Sequence, residues 1–300
     1  MNKLNLLHNP GAGNEDHFEE ELIKDIQSEG FECRYFSIKE GVWKKHLEEP
    51  DFIVVAGGDG TVRNVVREMV KAKSGFPLVP VAVLPMGTAN NLSQTLGIDP
   101  SKSHCDHIKK WKNPRFQTFD LGFAKIDGHK EVFLESVGFG LFPSLINYMK
   151  HRKEVSEAET AEQKLAIALK ALITAARTFE PVICKIQAEE VQKGIPCLLF
   201  EVMNTQSIGP NLFMAPDADT ADGTFDIVYV TEEQRVEFIA YLQQIAEGKK
   251  TDFAFKKLKC NKLEIQAEGG WMHIDDELLE MKGAVTLNVE TGKKQIRFMV

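Results

Sequence analysis

The chain has 300 residues, 43% of them apolar and 27% charged, which fits one large or two ordinary folded domains and excludes a disordered or fibrous chain. Its net charge of −8 argues against nucleic-acid binding, which wants a basic footprint, and leaves only local clusters such as Lys44-Lys45, Lys249-Lys250 and Lys256-Lys257 with Lys259. The longest apolar stretch, 165–176, is broken by Lys170 and falls short of the ~18 residues of a membrane span, while five scattered cysteines without a CxxC pair speak against a disulfide framework or structural zinc.

In chain order, residues 4–8 read as a strand, followed by a glycine-rich turn and an amphipathic helix over about 18–29. Residues 32–38 read as a second strand. Residues 52–56 form a continuous apolar run ending in Gly57-Gly58-Asp59-Gly60-Thr61, and 62–71 is helical. Another buried strand, 79–84, ends in Pro85-Met86-Gly87-Thr88, and a helix continues through Leu96. This alternation predicts a doubly wound parallel sheet, its strands covered on both faces.

After about Leu121 the grammar changes. Residues 122–127 and 131–137 read as a hairpin turned at Asp127-Gly128, and 141–149 and 158–177 as helices, with charged 151–162 an exposed loop or turn between them. Strands are expected at 182–189, 197–204, 224–230, 262–267, 272–274, 285–289 and 294–299. Strands in series after a helical pair predict an antiparallel, β-sandwich-like domain. The expected fold is α/β plus β: a doubly wound α/β domain over 1–121 and a β-rich domain over 122–300, joined near Asp120.

Glycines between a buried strand and a helix let the backbone approach a ligand, and the helix aims unpaired N–H groups and its positive end at the loop. Gly57 to Thr61 is therefore an anion site, phosphate being its usual occupant. An acidic residue in such a loop repels phosphate unless a cation intervenes, so Asp59 suggests Mg²⁺; as an alternative it caps a tight turn. Asn9-Pro10-Gly11-Ala12-Gly13 and Pro85-Met86-Gly87-Thr88-Ala89-Asn90-Asn91 stand in the same strand–turn–helix context. All three turns fall at the carboxyl edge of a parallel sheet, where ligands bind. No GxxxxGK[ST] motif is present.

Later in the chain, Asp217, Asp219 and Asp222 crowd beside Gly223, which is costly without a cation or full hydration. The spacing is not that of an EF-hand, and a solvated acidic turn is the other reading. Asp275-Asp276-Glu277 follows an expected strand end; a carboxylate there could accept a proton from an attacking hydroxyl, or the segment is simply an acidic turn. Residues 139–149 are apolar and precede His151-Arg152-Lys153, which reads as core or as a lipid entrance.

The ordered set NPxxG (Asn9 to Gly13), GGDGT (Gly57 to Thr61), PxGTxN (Pro85 to Asn90), Asp120-Leu121-Gly122, the aromatic-glycine segment 133–141, Ala215-Pro216 to Asp222-Gly223, and Asp275-Asp276-Glu277 in place of DGE resembles the diacylglycerol kinase catalytic-domain family, which includes soluble bacterial lipid kinases and sphingosine and ceramide kinases. The resemblance implies an ATP- and Mg²⁺-dependent lipid kinase acting on a hydroxyl of diacylglycerol or a related membrane lipid, with ATP and lipid meeting in the interdomain cleft. It assigns ATP to Asn9, Pro10, Gly11, Ala12, Gly13, Ser37, Gly57, Gly58, Asp59, Gly60, Thr61, Val62, Arg63, Gly87, Thr88 and Asn90. Asp59 and Asp120 would organise a water–Mg²⁺ network, and Asp219, Asp222 and the Thr224 carbonyl a structural Mg²⁺. Asp275, with Glu277 beside it, would be the catalytic base.

The scattered cysteines lead to the expectation of a cytoplasmic protein and the net charge to that of no nucleic acid, while the resemblance implies a membrane lipid as partner; transient, partly electrostatic contact with the inner membrane surface through the basic clusters and a homodimer complete the expectations. The chain departs from the family at Arg63-Asn64, Asn91, Pro143 and Asp276, the last standing where a glycine would take positive φ. GGDGT is shared with NAD kinases, so a NAD-kinase-like phosphotransferase and a non-catalytic nucleotide- or lipid-binding protein are the alternatives.

Overall fold

The computed structural model describes residues 2–12, 19–71, 79–126, 128–152, 158, 160–187, 191–268, 270–281 and 283–300. It divides into two compact units, Met1–Phe119 with Lys294–Val300, and Asp120–Lys293. Gly13, Asp127 and Lys153 of the readings above lie outside the described residues.

The first unit comprises β1 (Lys3–His8), α1 (Glu19–Ser28), β2 (Glu32–Ser37), β3 (Phe52–Gly57), α2 (Asp59–Lys71), β4 (Val81–Pro85), α3 (Asn91–Thr95) and α4 (His104–Lys110). Every residue of β3 and β4 is buried, as apolar runs without alternation require. Helix α2 turns Val62, Val65, Val66 and Met69 inward, the i, i+3, i+4, i+7 stripe of an amphipathic helix. Phe31, Phe52 and Trp111 meet edge to face at 5.7–6.0 Å between ring centroids.

Four pairings here are parallel: β1 lies between β2 and β3, β4 joins β3, and Phe298 and Met299 at the end of the chain join β4 opposite Val81 and Ala82. The order 2-1-3-4 reverses its winding between β1 and β3. Open α/β sheets bind ligands outside the carboxyl ends at such a point.

The second unit takes over within β5 (Phe116–Ile126) and continues through β6 (His129–Phe133), β7 (Ser136–Gly140), α5 (Leu141–His151), α6 (Ala161–Thr178), β8 (Val182–Gln187), β9 (Val191–Met203), β10 (Ser207–Ile208), β11 (Leu212–Phe213), β12 (Phe225–Thr231), α7 (Arg235–Ala246), β13 (Lys256–Cys260), β14 (Lys262–Glu268), β15 (Trp271–Ile274), β16 (Glu277–Glu280) and β17 (Ala284–Met299). Its pairings are antiparallel, with β9 bonded to β7, β8 and β12, and β15 bonded to β7 and β16. One core lies among the strands, and a second gathers α5, α6 and α7 over β9 and β12.

Several elements differ from expectation: the short strands β10, β11 and β16 were not anticipated, and the strands expected at 285–289 and 294–299 are the single β17. The strand expected over 131–137 is two strands, β6 and β7, because the Leu134 and Glu135 amides turn to a side chain. Helix α7 and strand β13 stand where neither was anticipated. A capping box at Thr231 and Gln234 precedes α7, and Phe238, Tyr241 and Leu242 form its buried face, so the helix signal was in the sequence. Among the described residues no helix is long and apolar enough to cross a membrane.

Candidate functional site

In the first unit three turns are tied into one structure. The Asn9 Nδ2 donates to Thr61 Oγ1 at 3.0 Å, and Asn9 Oδ1 accepts from the Gly11 amide at 3.2 Å. The Asp59 carboxylate accepts from the Asn91 amide at 3.0 Å and the Leu92 amide at 3.2 Å. It thus caps α3 from 32 positions away, because the side chain of Asn90 at the helix start folds back on both backbone groups of Gly87 at 2.9 Å. Gly58 and Gly87 meet backbone to backbone: a Cβ on Gly87 would stand 2.6 Å from the Gly58 Cα.

The result is a cradle of main chain at the winding reversal, with the N-terminus of the thirteen-residue α2 opening beneath Gly58. Lys39 was missed by sequence reasoning. Its ammonium stands 3.4 Å from where a Cβ on Gly11 would lie, supplying a cation to the first turn. Lys39 follows the end of β2 and Gly11 the end of β1, and only their parallel pairing brings the two together. Ser37 sits at that same edge, opposite His8. Thr88 is half-buried within the third turn. Val62 and Arg63 are buried on α2, and the Val62 amide is bonded to the Gly58 carbonyl.

In the second unit the hairpin β15–β16 carries the acidic trio. Asp275 is 8% exposed, and its carboxylate accepts from the amides of Leu134, Glu135 and Ser136 at 2.8–3.3 Å. Three amides thus fasten this carboxylate to the turn between β6 and β7. Glu277, paired with Ile274 at the head of β16, is exposed. The two carboxylates thus differ in setting: Asp275 is held by the turn and Glu277 lies at the surface. The residue with positive φ is Asp275, at 51°, and not Asp276, so a glycine is not required at 276. Lys150 Nζ donates to the Asp276 carbonyl at 2.7 Å and steadies the turn from α5.

Behind the hairpin, His273 and Glu201 are both fully buried. The His273 Nδ1 lies 2.7 Å from the Asp275 carbonyl, and Nε2 lies 2.8 and 2.9 Å from the two Glu201 oxygens. A carbonyl only accepts, so Nδ1 carries a hydrogen, and one further proton is shared between Nε2 and the carboxyl. Gly138 makes this possible, since a Cβ there would stand 2.4 Å from the Glu201 carboxyl.

Burial raises the Glu201 value; burial lowers that of His273, but the Glu201 charge beside it outweighs this and the net direction is also upward. The folded pair thus holds about one proton more than the unfolded chain at neutral pH, where a free Glu near 4.3 and a free His near 6.5 are both mostly deprotonated. Stability should be full below the unfolded histidine value and fall by up to about 1.4 kcal/mol per pH unit above about pH 6.5. Urea unfolding across that range should show the slope in the wild type and lose it in Glu201→Gln.

The acidic turn does not fit a cation. Asp222 Oδ1 accepts from the Thr224 amide and hydroxyl at 2.9 and 2.6 Å, and its Oδ2 pairs with Lys259 Nζ at 2.7 Å. Asp219 turns to the Ala221 amide at 2.9 Å, and the buried Asp120 to the Gly223 amide at 2.7 Å. Among the described residues no three His, Cys, Asp or Glu side chains form a metal-holding group. Lys259 supplies the counter-charge that a structural Mg²⁺ was expected to supply. Melting temperatures in Mg²⁺ and in chelator should coincide; a rise with Mg²⁺ would restore the metal, since a ligand of the folded state stabilises it.

Residues 3–124 match the model of the diacylglycerol kinase catalytic domain, and 149–297 that of the YegS C-terminal NAD kinase beta sandwich-like domain. A diacylglycerol kinase of Bacillus subtilis (strain 168) is 25% identical over 288 residues, 92% of this chain and 90% of that protein. A diacylglycerol kinase of Mycobacterium tuberculosis (strain ATCC 25618 / H37Rv) is 25% identical over 201 residues, 66% of this chain, and the alignment spans 60% of that relative's length. A solved structure of a diacylglycerol kinase from Bacillus anthracis str. Sterne aligns with a TM-score of 0.67 at 20% identity, covering 99% of this chain and 96% of that one, a likeness of fold.

Proposed function

The chain belongs to the diacylglycerol kinase catalytic-domain family, and on that footing we propose that it is an ATP- and Mg²⁺-dependent kinase that phosphorylates a hydroxyl of diacylglycerol or a related membrane lipid. The observation that carries the reading is the fusion of three turns into one main-chain cradle at the carboxyl edge of the parallel sheet. Glycines that touch backbone to backbone leave room for phosphate oxygens beside amides, and the N-terminal end of α2 favours their charge.

Phosphoryl transfer asks for positioning and charge neutralisation more than covalent chemistry. Mg²⁺ neutralises phosphate charge when it is bound. Asp59, the carboxylate of this cradle, would hold a water of the ion's shell. Lys39 adds a fixed positive charge at the first turn. In the second unit Glu277 takes the proton of the acceptor hydroxyl, while Asp275, His273 and Glu201 hold the turn that presents it. The enzyme acts in the cytoplasm and meets its acceptor at the membrane surface.

The NAD-kinase-like reading draws on the description of the C-terminal domain. One assay separates the two: labelled ATP is offered with total membrane lipid extract and, in parallel, with NAD. Label in a lipid is expected. Label only in NAD, or ATP binding without transfer to either, would overturn the proposal.

A further inference from the structure

A groove of about 540 Å³ opens in the second unit between the β10–β11 hairpin, the later half of α7 and the segment that follows it. Its floor is aromatic. Phe253 and Phe255 meet at 4.8 Å between centroids, and Tyr241 contacts them at 5.4 and 5.7 Å. Phe213, on the hairpin wall, is 49% exposed, which is unusual for a side chain that hydration penalises so heavily.

The rim is basic. Lys249, Lys250 and Lys257 line the groove against a single acidic neighbour, Asp252. Glu247 approaches Lys249 at 2.6 Å, but those side chains are 59% and 64% exposed, and such a surface pair exchanges readily for another anion. On a chain of net charge −8 this is a locally positive surface around the exposed Phe213 ring. That pairing suits the boundary between charged headgroups and acyl chains, where aromatic rings and lysines settle.

We propose that this groove docks the protein on a membrane through anionic phospholipid headgroups, the lysines taking the phosphates and Phe213 entering the interface. A symmetric contact with a second copy is disfavoured, because it would set lysine rim against lysine rim. The lipid-kinase reading underlies the proposal only by giving the protein a reason to meet a membrane, and binding is read without turnover.

The experiment co-sediments the full chain with phosphatidylcholine vesicles, with and without phosphatidylglycerol, at low and high salt. Binding should require phosphatidylglycerol and weaken with salt. The joint variant Lys249→Glu, Lys250→Glu, Lys257→Glu should bind roughly a hundredfold more weakly, each basic residue being worth about a factor of five at the surface. Phe213→Ser should lose several-fold while keeping the salt dependence. All four positions are exposed, so melting should be unchanged.

Equal binding of the wild type to both vesicle types, or of the triple variant and the wild type to the anionic vesicles, would overturn the proposal. So would capture of polyglutamate with no vesicle binding, which would make the groove a site for acidic protein. Phosphorylation of lipid dispersed in detergent micelles is a separate arm. Its failure with vesicle binding intact removes the kinase reading and leaves the docking site standing.

Discussion

Glu277→Gln should lower kcat by about 10²–10⁴-fold, the usual contribution of a positioned general base, with little change in the affinity for ATP. The amide keeps the size and polarity of the side chain but cannot take the acceptor's proton. Glu277 is exposed at the head of β16 and outside the buried network, so the fold should melt normally. Asp275→Asn is the informative partner. Its carboxylate accepts three backbone hydrogen bonds, and an amide offers one oxygen and a donor that would face a donor.

That variant should lose stability first, by about 1–3 kcal/mol for the amides left unsatisfied, and activity through the displaced turn. Kinetics and thermal melts on the two variants decide the roles. A stable Asp275→Asn protein with depressed kcat, beside a normal Glu277→Gln enzyme, would return the base to Asp275.

Gly87→Ala should weaken ATP binding and reduce kcat by about 10²-fold, although it adds one methyl group at a turn. The new Cβ would stand 2.6 Å from the Gly58 Cα and 2.8 Å from Asn90 Oδ1. Ordinary contact begins near 3.4 Å, so the two turns must part by roughly 1 Å, a misplacement worth about that factor. The clash is with backbone, which cannot rotate away. Gly97→Ala is the control: that glycine has φ 68° but nothing within 4 Å of its Cβ, so the variant is strained without touching the cradle. It should melt lower and bind ATP normally. Nucleotide titration of both variants checks the expectation, and unchanged affinity in Gly87→Ala would dissolve the cradle.

Much of the architecture was legible along the chain because it is written in local patterns. Buried parallel strands are apolar runs, and their turns are glycine-rich where a helix must begin at once. Asp59 was read as a metal carboxylate or as a helix cap. The structure shows it capping, but on α3, since Asn90 bonds its own turn and leaves the Asn91 and Leu92 amides to a residue 32 positions away. The acidic turn at Asp219 and Asp222 looked like a cation site because its counter-charge, Lys259, arrives from β13 through the β12–β13 pairing.

Local sequence therefore settled most of the strands and helices, the change from alternating to serial strands near residue 121, and the three glycine-rich turns. Each is written in the pattern of neighbouring residues. Tertiary structure alone decided how the two carboxylates are placed: Asp275 and Glu277 are two residues apart and chemically alike. They differ because the chain folds the amides of Leu134 to Ser136 onto one and leaves the other to solvent. It also decided the burial of the Glu201–His273 proton, the approach of Lys39 to Gly11, and the return of Phe298 and Met299 to β4. Strand pairing and burial join residues distant in sequence, and no local pattern encodes the partner.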